Sequence, residues 1–71
     1  MTAGEFIRRI VTLGAARNLE VRFDPSRGKG SHGTLYYGDR FTIVKDRRKE
    51  CSAGLLSKML ADLGLNRRDL R

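Results

Sequence analysis

The chain has 71 residues, with 15 Lys and Arg against 8 Asp and Glu and a net charge of +7. That length allows one domain near the lower limit of a self-sustaining core and excludes a large enclosed substrate cavity. The cationic excess points to a polyanionic partner, nucleic acid first.

No membrane association is expected, because the sequence has no long apolar run, no secretory segment and no lipidation signal. The expectation is a cytoplasmic protein. Cys51 is the only cysteine, which excludes an internal disulfide framework and a Cys-type zinc site.

Thr2 and Glu5 have capping-box spacing, and Phe6, Ile7, Ile10, Val11 and Leu13 recur at helical intervals. The pattern predicts a helix over residues 3–13, stopped at Gly14, with Arg8 and Arg9 outside. The period then changes to two: Leu19, Val21 and Phe23 fall on one side, Glu20 and Arg22 on the other. This strand stops at Asp24-Pro25-Ser26, where proline removes a ladder donor. A glycine-rich basic stretch follows, Ser26-Arg27-Gly28-Lys29-Gly30-Ser31-His32-Gly33-Thr34. Alternation resumes over 31–37, turns at Tyr37-Gly38-Asp39-Arg40 and continues over 40–44 with Phe41 and Ile43 as the apolar pair.

The charged run 45–50 reads either as a solvated linker or as a contact for a nucleic-acid backbone. Ser52 can cap a second helix whose apolar stripe is Leu55, Leu56, Met59, Leu60 and Leu63. Gly64 is a left-handed stop, with Leu65 folding back and 66–71 forming one more capped turn or fraying. The order α-β-β-β-α predicts a single α+β domain over 1–71: a two-layer sandwich of a three-stranded antiparallel sheet with both helices on one face.

The basic loop and the only histidine carry the functional reading. Histidine titrates near neutral pH, glycine lets another molecule approach the backbone closely, and successive loop N–H groups can cradle an anion. Gly28-x-Gly30-x-x-Gly33 matches the dinucleotide fingerprint in letters only, since a strand follows it rather than a helix. With Leu35, Tyr37, Phe41 and Ile43 turned to the core, parity places His32, Thr34, Tyr36, Arg22, Arg40 and Thr42 on the opposite face. His32 is then an exposed base beside cations, and Arg27, Lys29, Gly30, Ser31, Arg22 and Arg40 are the phosphate-binding candidates. The alternative is a solvated surface histidine in a loop that only grips phosphates.

Tyr36 or Tyr37 offers a ring to an unpaired base, with sheet packing as the alternative, favoured for Tyr37. No carboxylate cluster has metal-ligand spacing, so neither metal nor other cofactor is expected. Cys51 reads as an incidental thiol rather than a nucleophile paired with His32.

The short helical start Glu5-Phe6-Ile7, the Gly30-Ser31-His32 triplet opening the second strand, and the tail from Gly54-Leu55-Leu56 to Leu63-Gly64-Leu65 together resemble the HicA toxin family of bacterial toxin–antitoxin systems. The chain departs from the family in a longer loop, 24–29, and in Gly33 directly after the histidine. The resemblance implies a fold like that of double-stranded-RNA-binding domains, a ribonuclease that cleaves messenger RNA with His32, and neutralisation by a HicB-like antitoxin. A ribonuclease with one histidine and no metal site would use the substrate's own 2′-hydroxyl as nucleophile, His32 as general base, the basic loop to hold the phosphate, and water, a lysine or His32 itself, then acting as general acid, to return the proton. A non-catalytic RNA-binding module of the same fold is the competing reading.

Overall fold

The computed structural model describes residues 1–25 and 32–70. The first helix, α1 (Ala3–Ala16), starts on a complete capping box: the Thr2 hydroxyl accepts from Glu5 N–H, and the Glu5 carboxylate accepts from Thr2 N–H. These bonds hold the Glu5 carboxyl below its ordinary pKa, the Thr2 backbone N–H contributing most. Gly14 does not stop the helix. It lies buried within α1, where an added Cβ would collide with the Val21 side chain and come 3.1 Å from Leu19 O.

The stop comes at Asn18, the one non-glycine among the described residues with positive φ (60°). Leu19 N–H closes back on Gly14 O at 2.8 Å, completing a left-handed helix cap. Leu19 therefore serves the cap, is 42% exposed, and does not begin the strand.

The sheet has the order β1 (Val21–Pro25), β2 (Gly33–Tyr37), β3 (Arg40–Val44), antiparallel throughout. Pro25 ends β1, an edge strand, where a missing N–H costs no ladder bond on the solvent side. The β2–β3 connection is the two-residue turn Gly38-Asp39, with Gly38 at φ +61°. That turn pairs Tyr37 with Arg40, Leu35 with Thr42 and Gly33 with Val44. Directly opposed residues share a face, so β3 turns Thr42 and Val44 inward, both 1% exposed. Phe41 and Ile43, expected in the core, are 55% and 50% exposed on the open face. Placing them inside would have required a turn one residue longer.

Ser52 caps α2 (Ala53–Asp62) by accepting from Leu55 N–H at 3.1 Å. The helix ends in a left-handed cap at Gly64, φ +73°, with Leu65 N–H on Leu60 O at 2.8 Å. A 3₁₀ turn, Arg67–Leu70, follows and is tied to α1 by an ion pair of 2.6 Å between Arg17 and Asp69. The core joins Phe6 and Ile10 of α1 to Met59 and Leu60 of α2, with Leu63, over Leu35, Tyr37 and Val44 of the sheet. Both helices cover one face, as expected. The linker run 45–50 is bound to the start of α1: Ala3 N–H donates to Lys49 O and Gly4 N–H to Arg47 O. Among the described residues no helix is long and apolar enough to cross a membrane.

Candidate nucleic-acid interface

His32 is exposed and directly precedes Gly33, the first residue of β2, which pairs with Pro25 on one side and Val44 on the other. The histidine thus stands where the ladder ends. Gly33 is buried because the Phe23 ring lies across it: a Cβ there would collide with that ring and come 2.8 Å from Asp24 O. The glycine after the histidine is therefore a packing requirement of this end of the sheet. Arg27, Lys29, Gly30 and Ser31, the loop candidates for phosphate binding, lie outside the described residues.

Of the two strand cations, only Arg22 is on the open face. Its guanidinium lies over the Tyr36 ring at 4.5 Å and 3.9 Å from the Asp24 carboxylate. Arg40 is on the helix side, because the turn pairs it with core-facing Tyr37. There it donates from Nε to Asp62 O at 3.0 Å and from a terminal nitrogen to Ala61 O at 3.4 Å. A cation on the last carbonyls of α2 complements the helix dipole. Arg40, though exposed, is therefore not on the face of Arg22 and Tyr36 where it was expected.

Thr42, also expected on the open face, is buried and donates to the Asp62 carboxylate at 2.7 Å. That bond, with one from Lys58 at 3.0 Å, holds the Asp62 carboxyl below the ordinary range.

The open face has two cross-strand rows. Arg22, Tyr36 and Phe41 form one, and Asp24, Thr34 and Ile43 form the next, towards His32. The Tyr36 and Phe41 rings are 6.1 Å apart at 48°. Tyr37 instead packs in the core, 6% exposed, its hydroxyl accepting from Arg17 at 3.4 Å.

At the same end of the sheet, on the helix side, a shallow groove of about 700 Å³ is lined by Gly4, Ile7, Arg8, Phe23, Arg47 and Arg48. Arg47 stacks on the Phe23 ring at 4.9 Å, which fixes a guanidinium beside the strand ends. These three arginines and Phe41 join the candidate surface without having been singled out in the sequence as site residues, Arg47 and Arg48 having been read only as part of the run 45–50. The charge run 45–50 carried the signal for two of them; Phe41 was hidden by its assignment to the core.

Cys51 is buried, and burial pushes its thiol pKa up, which disfavours the nucleophilic thiolate. Among the described residues no three His, Cys, Asp or Glu side chains gather as a metal site. Comparison with protein-family models, with curated proteins and with solved structures returns no match.

Proposed function

We propose that this chain is a HicA-like ribonuclease toxin that cleaves messenger RNA in the cytoplasm without a metal ion and is neutralised by a HicB-like antitoxin. The observation that carries the reading is the exposed His32 at the start of β2, with Arg22 and the exposed Phe41 ring on the open face of the sheet and Arg47 on the helix side of the His32 end. In this reaction His32 accepts the proton of the ribose 2′-hydroxyl as that oxygen attacks phosphorus. The bond to the 5′ oxygen breaks, that oxygen leaves with a proton, and the products are a cyclic phosphate and a 5′-hydroxyl end. With no second histidine in the chain, the proton returned to the leaving oxygen comes from His32 itself, a lysine or water. Loop amides, Arg27, Lys29 and Ser31 are assigned from the sequence to steady the charge developing on the phosphate. Arg22 holds the strand by its backbone.

His32→Ala tests the assignment. Cleavage of a single-stranded RNA should fall by roughly 100-fold or more, the scale of general-base assistance, while RNA binding persists. Equal cutting by both proteins removes the catalytic role. Binding without cutting by either makes the chain an RNA-binding module. Cleavage that chelator abolishes contradicts the metal-free route.

A further inference from the structure

We infer that the open face of the sheet is a stacking platform for unpaired RNA bases, with Phe41 as the ring offered to a base and Tyr36 and Arg22 holding it in place. The inference rests on the ribonuclease reading only in setting the scissile phosphate at His32.

Arg22, Tyr36 and Phe41 are direct cross-strand neighbours, and their contacts run in series: guanidinium over the Tyr36 ring at 4.5 Å, then Tyr36 to Phe41 at 6.1 Å. Tyr36 is half-buried between its neighbours, whereas Phe41 is 55% exposed. The accessible ring is thus backed by a second ring and a cation. Arg22, itself 59% exposed, remains within reach of a phosphate on the same strand.

Charge and area select the occupant. A chain of net charge +7 attracts polyanions. Phe41 and Ile43, half-exposed, offer on the order of 200 Å² of apolar surface, well short of the ~800 Å² that each partner of a standard protein interface buries. Duplex RNA keeps its base faces stacked on one another and presents only edges and backbone, so an exposed ring has nothing to stack on. A single strand presents base faces, and stacking of this kind is tolerant of sequence.

The platform is also at a useful distance. Tyr36 is four residues along the strand from His32, about 13 Å at ~3.3 Å per residue, so a bound base lies a few nucleotides from the cleaved bond. It positions the strand and adds little sequence preference of its own.

The test uses the full chain carrying His32→Ala, so that RNA survives the titration, with a short single-stranded oligoadenylate and a blunt RNA duplex of equal length as probes. Phe41→Ala and Phe41→Leu should each weaken oligoadenylate binding by about 5- to 150-fold, while Phe41→Tyr retains it and circular dichroism stays unchanged. The leucine variant separates ring stacking from apolar contact. Duplex binding should be insensitive to all three. Unchanged oligoadenylate affinity in the alanine and leucine variants overturns the inference. So does equal sensitivity of the duplex, or a Phe41-dependent dimer whose loss leaves RNA affinity intact. Cleavage by the His32 chain is scored separately. If it cuts and Phe41→Ala binds normally, the platform falls alone; if it never cuts yet binding depends on Phe41, the ribonuclease reading falls alone.

Discussion

Thr42 and Asp62 illustrate how one residue pair fixes both packing and acid response. A threonine in the middle of β3 is buried only because its hydroxyl reaches a carboxylate at the end of α2, and the bond ties helix to sheet. Replacing the hydroxyl by a methyl in Thr42→Val should cost about 1–2 kcal/mol, read as a lower denaturant midpoint. Asp62, Asp69 and Glu5 all have folded pKa values below their ordinary ones. The leading causes are the Thr42 hydroxyl for Asp62, the Asn66 backbone N–H for Asp69 and the Thr2 backbone N–H for Glu5. Where a folded pKa lies below the unfolded one, the unfolded chain binds more protons. The three groups therefore stabilise fully above about pH 4.5 and lose that contribution as pH falls through their folded values. Denaturant midpoints followed from neutral to acid pH should decline across this window, and less steeply in Thr42→Val. A midpoint independent of pH there, or a variant as steep as the parent, contradicts the assignment.

Gly14 in α1 and Gly54 in α2 have opposite meanings. Gly14 lets α1 press against β1, since the Val21 side chain occupies the space of a Cβ; Gly54, in the first turn of α2, has nothing within 4 Å of that position. Alanine raises helix propensity by up to ~1 kcal/mol at either site, but at Gly14 overpacking of about 1–3 kcal/mol opposes it. Gly54→Ala should raise the midpoint of thermal unfolding and Gly14→Ala should lower it. Changes of the same sign would mean that the α1–β1 approach is not what requires glycine. Both α-helices end by the same device, a left-handed residue that turns the next leucine back onto the helix, with Asn18 serving α1 and Gly64 serving α2. Only the glycine version was legible in the sequence, because asparagine in that conformation is indistinguishable from an ordinary turn residue until φ is seen.

For the molecule as a whole, the two layers separate tasks: one sheet face makes the core with both helices, and the other presents a cation, two rings and the approach to His32. Binding of a single strand should weaken linearly in log affinity against log salt, with a slope of about −0.7 per phosphate neutralised. Arg22→Gln and Arg47→Gln should each reduce that slope by about 0.7, measured by fluorescence anisotropy across a salt series. Slopes equal to the parent's would remove those arginines from the contact surface.

Local chemistry determined a good part of this protein before any fold was known. The capping box at Thr2 and Glu5, the Ser52 cap, the glycine stop at Gly64, the proline end of β1 and the Gly38 turn depend on neighbours within a few residues, so spacing alone predicts them. The exposure of His32 at the head of β2 followed from the same alternation. What only tertiary structure decided was which side of the sheet each β3 residue occupies. Period two leaves two solutions, and the pairing of Tyr37 with Arg40 across a two-residue turn selects the one with Thr42 and Val44 inside. That choice gave Arg40 to the end of α2 and turned Phe41 outward. That register turns on a contact only three residues apart, but choosing it over the apolar pattern of Phe41 and Ile43 took the packing of α2 against Thr42 and Val44, and it set the surface on which the functional proposal stands.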